Sequence, residues 1–197
     1  MLDRVLRLYE HRLFALLGSA LRPGMVFVDV GANKGDFTIY AARIVGEQGH
    51  VHSFEPDAEN ALWLRRTVAT NRLRNVTVHE TAISDMSGEA TLYRGADSGT
   101  HSLVAEGDTD GTKVRVRRLS DALESPPDVL KVDVEGAEMS VMQGAVGKLA
   151  PLVVIEVHQN RGVDTGALHA FLERAGYRIE SLRGDQWVCR RWSTDPR

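Results

Sequence analysis

The chain has 197 residues, which suits one globular domain, and its formal net charge of −3 gives no basic surface for nucleic acid. Its one cysteine, Cys189, excludes an internal disulfide, and no apolar run reaches the roughly 18 residues that a membrane-spanning helix needs. Charged residues near the N-terminus argue against a signal-peptide core, so we expect a cytoplasmic protein with neither nucleic acid nor a membrane as its partner.

The first predicted element is an amphipathic helix, and residues 1–22 are predicted to form this separate N-terminal unit. Its apolar residues recur at helical spacing, and Arg22, Pro23 and Gly24 would end it. We expect the helix to pack on the sheet of one globular domain, residues 23–197. A lid over the substrate and a contact in a homodimer are the alternatives.

Predicted strands and helices then alternate along the chain. The predicted strands are 25–30, 50–54, 76–83, 129–134 and 152–157, and the predicted helices are 37–45, 57–71, 138–146 and 165–175. This order indicates an α/β fold with a doubly wound, mostly parallel, Rossmann-like sheet of seven strands. The last two strands, 178–182 and 186–190, flank Gly184 and Asp185, which predicts a final antiparallel hairpin.

The segment 84–119 interrupts this alternation because it has no long helical pattern. Short strands are predicted at 90–93 and 113–117, on either side of a loop rich in small and polar residues. In 114–117 the two valines share one face and the two arginines share the other, which predicts an exposed strand at the edge of a sheet.

The segment from Phe27 to Phe37 reads FVDVGANKGDF and has the pattern of a ligand-binding turn. A strand ends near Asp29, a loop with Gly31 and Gly35 follows, and a helix begins, which is how a nucleotide-binding βαβ unit opens. Glycine permits a positive φ and lets a ligand approach the backbone, and the helix start offers N–H groups. The spacing differs from the GxGxxG of dinucleotide enzymes, and an ordinary α/β turn is the alternative.

Two further positions fit a nucleoside ligand. Glu55, followed by Pro56, ends the second strand, where an acid in a doubly wound sheet can accept hydrogen bonds from a ribose diol. Ala82 and Ile83, after the third strand, could contact an adenine, and Ser84 or the next residue could bind its amino group. The alternatives are a surface carboxylate and a plain end of a strand.

Polar side chains alternate with apolar ones on two predicted central strands, where apolar residues are expected on both faces. Lys131, Asp133 and Glu135 share one side of the first strand, and Glu156 and His158 share one side of the next. Buried charge is costly, so these groups must meet partners, a ligand or solvent, and they lie near the strand ends that border ligand crevices. The alternative is a structural ion-pair ladder, such as Lys131 with Glu156.

Four stretches together resemble the FkbM family of S-adenosylmethionine (SAM)-dependent methyltransferases. The stretches are Asp29-Val-Gly-Ala-Asn-Lys-Gly35, Phe54-Glu55-Pro56, Ala82-Ile83-Ser84-Asp85 and Lys131-Val-Asp-Val-Glu-Gly-Ala-Glu138. The resemblance spans roughly residues 23–158 and implies the class I methyltransferase fold. It also implies SAM as methyl donor and O-methylation of a hydroxyl (or carboxyl) group on a small molecule, sugar or natural product.

The resemblance assigns roles to the candidate site residues. Asp29 and the loop 31–35 would hold the methionine end of SAM, and Glu55 would hold the ribose. The predicted cofactor-binding residues are Asp29, Gly31, Ala32, Asn33, Gly35, Phe37, Thr38, Glu55, Pro56, Ala82, Ile83, Ser84 and Asp133. The predicted catalytic residues are Asp133 and His158 as candidate bases, Glu135 as their orienting or second carboxylate, and Lys131.

The same residues are compatible with other chemistry. Asp133, Glu135 and His158 could instead ligate a divalent cation such as Mg²⁺, which would lower the pKa of the acceptor. The alternative functions are an RNA or protein methyltransferase on the same scaffold, a catalytically silent SAM-binding subunit, and an NAD-binding oxidoreductase.

Overall fold

The computed structural model describes residues 2–93, 102–103 and 111–192, and for residues 2–10 and 183 it describes the backbone alone. Helix α1 (Leu2–Ala20) is the first element. Its buried residues Leu13 and Leu17 pack in the core with Phe27 of the sheet, as expected for a helix packed on the domain. Of the predicted apolar stripe, the side chains before residue 11 lie outside the described residues, and the domain boundary at 22 stays a prediction.

Strands and helices follow in the predicted alternation. The strands are β1 (Val26–Val30), β2 (His50–Phe54), β3 (Val76–His79), β4 (Ala82–Ile83), β5 (Gly88–Tyr93), β6 (Gly111–Arg117), β7 (Val129–Val132), β8 (Leu152–Glu156), β9 (Tyr177–Arg183) and β10 (Gln186–Arg191). The later helices are α2 (Asp36–Val45), α3 (Ala58–Thr70), α4 (Leu119–Ala122), α5 (Glu138–Gly144) and α6 (Thr165–Arg174), with a 3₁₀ turn at Gln159–Arg161. Among the described helices, none is both long and apolar enough to cross a bilayer.

The main sheet has seven strands in the order β3-β2-β1-β7-β8-β10-β9. The pairs that join β3, β2, β1, β7 and β8 are parallel, whereas β10 is antiparallel to both β8 and β9. This confirms the predicted doubly wound, mostly parallel sheet with a final antiparallel hairpin. The strand order changes direction between β1 and β7, which is the point where such sheets bind ligands.

The core lies on both faces of this sheet. Val28 and Val30 of β1 face one apolar cluster, which includes residues of α5 and α6. Phe27 faces the other cluster, together with residues of α1 and α2. Because side chains alternate along a strand, Asp29 shares the face of Phe27 and is buried there.

Two predictions about the middle of the chain are wrong. The single strand predicted at 76–83 is two strands, because β3 belongs to the main sheet and β4 to a separate three-stranded sheet of order β4-β6-β5. The predicted edge strand β6 is the middle strand of that small sheet, since β4 and β5 bond to its opposite edges. Its arginines, Arg115 and Arg117, are exposed as predicted. Exposure of one face therefore does not make a strand an edge strand.

Candidate functional site

A crevice with two lobes lies at the carboxyl ends of the central strands. Counted to the open mouth of each, the lobe beside Glu55 spans about 620 Å³ and the lobe beside Lys131 about 560 Å³, and we call them the larger and the smaller lobe. Gly31, Asn33 and Asp133 line both lobes and therefore form their junction. The larger lobe is also lined by the predicted residues Glu55, Pro56, Ala82, Ile83 and Glu135, and the smaller by Ala32, Gly35, Phe37 and Lys131.

The glycine loop is shaped by its contacts within the protein. Gly31 has φ +76°, and a Cβ there would lie 1.7 Å from the carbonyl oxygen of Asp133. The backbone N–H groups of Gly31 and Ala32 both donate to the carbonyl of Phe54, and that of Gly35 donates to Ala32. The first two N–H groups hold the loop against β2, and the third closes the turn that leads into α2.

Glu55 lies at the wall of the larger lobe and is 5% exposed. Its Oε2 accepts a hydrogen bond of 2.8 Å from the backbone N–H of Asn33, and its Oε1 accepts one of 3.0 Å from that of Asp57. Burial raises the pKa of Glu55 to about 7, although these hydrogen bonds oppose the shift. A carboxylate can accept about four hydrogen bonds, so Glu55 retains capacity for a ligand.

Asp29 lies behind the crevice wall. Its Oδ2 accepts a hydrogen bond of 2.8 Å from the hydroxyl of Thr38, and its Oδ1 lies 3.3 Å from Nζ of Lys131. Asp29 and Thr38, which were predicted to bind the cofactor, therefore bond to each other on either side of the glycine loop 31–35. Although burial opposes its charge, the carboxylates of Asp29 and Asp133 raise the pKa of Lys131 above its ordinary value.

The alternative pairing of Lys131 with Glu156 is not the arrangement observed. The salt bridges of Lys131 go to Asp29 and Asp133, each at 3.3 Å. Oε2 of Glu156 instead accepts a hydrogen bond from the side-chain amide of Gln186 at 3.4 Å. The pairing follows from the register, in which Asp29 and Lys131 stand side by side on β1 and β7.

The chain turns sharply after β7, and this turn brings two carboxylates to the crevice. Strand β7 ends at Val132, two residues before the predicted end, and Glu135 and Gly136 have φ values of +54° and +110°. Asp133 and Glu135 both line the larger lobe. A non-glycine residue with positive φ is uncommon, and such residues are often found at functional sites.

His158 lies behind these two carboxylates rather than in the wall of either lobe. Its Nε2 is 3.4 Å from a carboxylate oxygen of Glu135 and 3.7 Å from one of Asp133. Its Nδ1 donates a hydrogen bond of 2.6 Å to Glu138, a residue that the sequence reasoning did not place in the site. Although burial lowers it, the neighbouring carboxylates raise the pKa of His158 to about 10. His158 is therefore protonated near neutral pH.

The predicted metal ligands are close together. Asp133, Glu135 and His158 each offer one ligand atom, and these atoms all lie within 4.8 Å of one another. A metal ion would require the neutral form of His158, because a protonated imidazole has no free lone pair. Binding of a metal ion by His158 and protonation of its imidazole therefore exclude each other at this cluster.

The three residues predicted after the third strand separate into two groups. Ala82 and Ile83 line the larger lobe as expected. Ser84 lies outside the lobe lining, where its hydroxyl donates to Asp85 at 3.0 Å and its N–H donates to the carbonyl of Arg117. The prediction that Ser84 or Asp85 contacts a nucleobase therefore receives no support from this arrangement.

The segment 84–119 supplies two wall residues that the sequence reasoning missed. Leu92 of β5 and Leu103 both line the larger lobe. Next to Leu103, the hydroxyl of Ser102 donates a hydrogen bond of 2.6 Å to the carbonyl of Glu135. No local pattern marks these leucines as site residues, because their position depends on how the small sheet folds over the crevice.

Residues 29–179 match a protein family described as the methyltransferase FkbM domain, and this range includes every residue that lines the crevice. The chain belongs to the FkbM methyltransferase family. The resemblance inferred from the four motifs is confirmed, and the methyltransferase assignment replaces the NAD-binding alternative.

Relatives of known name agree with this assignment. The chain is 30% identical over 156 residues to the hexuronic acid methyltransferase AglP of Haloferax volcanii, covering 76% of this chain and 62% of AglP. It is 29% identical over 210 residues to the 31-O-demethyl-FK506 methyltransferase FkbM of Streptomyces tacrolimicus, covering 87% of this chain and 80% of that protein.

A solved structure supports the fold. The crystal structure of the FkbM methyltransferase of Methylobacillus flagellatus matches with a TM-score of 0.59 at 19% identity, covering 87% of this chain and 48% of that one. The fold is the class I methyltransferase fold. This FkbM domain spans about half of the M. flagellatus chain and less than two thirds of AglP.

Proposed function

We propose that this domain binds SAM and transfers its methyl group to a hydroxyl group of a small molecule or sugar. The observation that supports this most directly is the position of Asp133. It lies at the junction of the lobe that contains Glu55 and a second lobe, so one carboxylate can reach both a cofactor and an acceptor.

The crevice fits SAM in three respects. The larger lobe combines the apolar residues Ala82 and Ile83, suited to an adenine, with Glu55, suited to a ribose diol. Asn33 lines both lobes, and its side-chain oxygen is buried without a hydrogen-bond partner among the described residues. A ligand ammonium group can supply that missing donor. The carboxylates at the junction also favour a cationic ligand over a neutral one.

The residues of this chain would act as follows. SAM, when bound, supplies an electrophilic methyl group. Asp133 would bind the acceptor hydroxyl, orient its oxygen and accept its proton as the carbon–oxygen bond forms and the methyl–sulfur bond breaks, which leaves S-adenosylhomocysteine. Lys131 lies 3.3 Å from Asp133 and holds that carboxylate in place. His158, the second candidate base, stays protonated behind Asp133 and Glu135.

The charges at the junction favour a hydroxyl acceptor over a carboxylate. Asp133 and Glu135 already place two carboxylates there. The described cations beside them are already engaged, since Lys131 contacts Asp133, Arg161 contacts Glu135, and the protonated His158 contacts both carboxylates. A third carboxylate about 4 Å away would be repelled by about 1 kcal/mol in water and about 4 kcal/mol at an effective dielectric constant of 20. A hydroxyl group would instead donate a hydrogen bond to Asp133.

Relatives support the acceptor class without defining it. AglP is named for a hexuronic acid, and the S. tacrolimicus protein is named for an O-demethylated natural product. RNA is the weaker alternative because the chain has a net charge of −3. The domain spans only 62% of AglP and 48% of the M. flagellatus protein. The activity of any larger protein that contains this domain is therefore part of the same proposal.

A labelling experiment tests this function. The domain is incubated with trideuteromethyl-SAM and a small-molecule extract of the source organism, and the labelled products are then treated with mild alkali. We expect the label to remain after alkali, as an ether would, whereas release of the label would identify an ester and a carboxylate acceptor. Calorimetry with S-adenosylhomocysteine (SAH) is the binding control. A domain that does not bind SAH, or that transfers label only to added RNA or protein, contradicts the proposal.

A further inference from the structure

We propose that Glu138 is a positioning residue, which fixes the orientation of His158 so that the imidazole supports Asp133 and Glu135 at the crevice. This inference rests on the proposed function, because it gives Glu138 a role in the reaction without contact with the reacting atoms. It also assigns His158 a supporting position, one layer behind the crevice wall.

The placement of Glu138 is the first observation. Glu138 is the first residue of α5, and it is fully buried at 0% exposure. Its Oε1 accepts hydrogen bonds from Nδ1 of His158 at 2.6 Å and from the backbone N–H of Gly136 at 3.1 Å. Burying a carboxylate is costly unless it is paired, and its short contact with His158 supplies that pairing.

The geometry of His158 is the second observation. With Nδ1 held by Glu138, the opposite ring nitrogen, Nε2, faces the oxygens of Glu135 at 3.4 Å and Asp133 at 3.7 Å. An imidazole ring that rotated about its χ2 angle would move Nε2 away from both carboxylates. The hydrogen bond to Glu138 therefore selects the one ring orientation that keeps these contacts.

The chain of contacts ends at the crevice. Glu135 is also held by Arg161 at 3.5 Å and, through its carbonyl, by Ser102 at 2.6 Å. Asp133 has Lys131 as its second partner. Asp133 therefore contacts two basic side chains, Lys131 and His158, and Glu138 orients the second of them. Small displacements of a reacting group lower rates strongly, since about 1 Å can cost roughly 10²-fold.

A purely structural role for Glu138 is the competing explanation. Its hydrogen bond to Gly136 could serve only to close the turn after β7. This explanation predicts that substitution lowers stability and leaves the turnover of folded protein unchanged. The positioning role predicts a loss in kcat at unchanged affinity for SAH, even where the protein is fully folded.

The test compares Glu138→Gln and Glu138→Leu with the parent, using the acceptor identified by the labelling experiment. Gln keeps an oxygen that can accept from Nδ1 of His158, whereas Leu keeps only the approximate size. We expect kcat to fall roughly 10²-fold in the Leu variant, with a smaller fall in the Gln variant and little change in KM for SAM or Kd for SAH. Crystals of the SAH complexes should show a rotated imidazole and a displaced Asp133 carboxylate in the Leu variant.

A matched control is available elsewhere in the chain. His169 and Glu173 also form a histidine–carboxylate contact, at 3.4 Å between Nδ1 and Oε2, but both side chains are well exposed. Glu173→Gln should leave kcat, KM and the SAH affinity unchanged.

Three outcomes would contradict the proposals. A melting temperature that falls in the Glu138 variants while kcat per folded molecule is unchanged would overturn the positioning role. Equal losses of SAH binding and turnover would overturn it as well and assign Glu138 to the cofactor site. Absence of any methyl transfer by the parent would instead refute the proposed function.

Discussion

Asp29 and Lys131 stand side by side on β1 and β7, with Oδ1 and Nζ 3.3 Å apart and side-chain exposures of 1% and 3%. Lys131 lines the smaller lobe, and the pair lies at the point where the strand order changes direction. Lys131 also contacts Asp133 at 3.3 Å, so one buried cation connects the base of the glycine loop with the carboxylate that faces the crevice.

Loss of Lys131 should destabilise the fold strongly. In Lys131→Met, Asp29 would remain buried without its cation, and breaking a buried pair in this way typically costs about 3–5 kcal/mol. Urea denaturation measures this change, with Lys113→Met on the exposed face of β6 as the control. The double variant Asp29→Asn, Lys131→Met should recover part of the loss. A Lys131→Met variant as stable as the control would contradict the structural importance of this pair.

The ionisation of Glu55 should make the stability of the ligand-free protein depend on pH. Burial raises its pKa in the folded protein to about 7 from an ordinary 4.5, so the folded state binds the extra proton between these values. The stabilisation is complete below about pH 4.5 and is lost as the pH rises through 7. In Glu55→Gln the melting temperature should therefore vary less between pH 5 and pH 8 than in the parent, at a lower overall level because the amide nitrogen cannot accept the second backbone hydrogen bond.

The affinity for SAH should depend on the same group with the opposite sign. Ionised Glu55 accepts hydrogen bonds from a ribose diol more strongly than the protonated acid does, so affinity should rise as the pH increases through 7. In Glu55→Gln the affinity should be lower and should vary less over this range. Calorimetry at several pH values measures both effects. Equal pH dependence of SAH binding in parent and variant would show that Glu55 does not bind the ribose.

Two glycines with similar backbone angles should differ in their tolerance of alanine. Gly31 and Gly147 have φ values of +76° and +88°, but a Cβ at Gly147 would meet nothing within 4 Å. Gly147→Ala should cost about 1–2 kcal/mol from backbone strain and leave SAH binding intact. Gly31→Ala should cost more and abolish SAH binding, because the new Cβ would displace Asp133. If both variants bind SAH like the parent, the loop is not part of the cofactor site.

The fold could be predicted largely from the sequence because alternating strands and helices, and the final glycine turn, are local patterns. The split of 76–83 into β3 and β4 could not be predicted from the sequence, since it depends on which distant strand each half pairs with. The place of Glu55 in the crevice wall could be predicted because it follows from the position of this residue at a strand end. The role of Glu138 could not be predicted in the same way, because its contact with His158 depends on the turn at Glu135 that brings α5 beside the end of β8.

Substitution of Asp133 should separate methyl transfer from cofactor binding. Asp133→Asn keeps the size of the side chain and removes the proton acceptor, so turnover should fall by about 10²–10⁴-fold, the range typical of a general base. SAH affinity should change much less, and Asp121→Asn, an exposed carboxylate on α4, is the control. An equal loss of SAH binding and turnover would reassign Asp133 to the cofactor. An unchanged rate with a lower melting temperature would show that Asp133 has only a structural role, through its ion pair with Lys131.

The dependence on divalent metal follows from the state of His158. Its raised pKa, about 10, means that a proton already neutralises part of the charge of Asp133 and Glu135 near neutral pH. A metal ion would have to displace this proton before it could bind the ring nitrogen. We therefore expect methyl transfer to continue at its full rate after exhaustive chelation with EDTA and to be unaffected by added Mg²⁺.

The opposite result would be activity that is lost with EDTA and that Mg²⁺ restores in the parent but not in Glu135→Gln. This result would show that the cluster of Asp133, Glu135 and His158 binds a cation. In that case the cation would lower the pKa of the acceptor hydroxyl, and Asp133 would not act as an unassisted base.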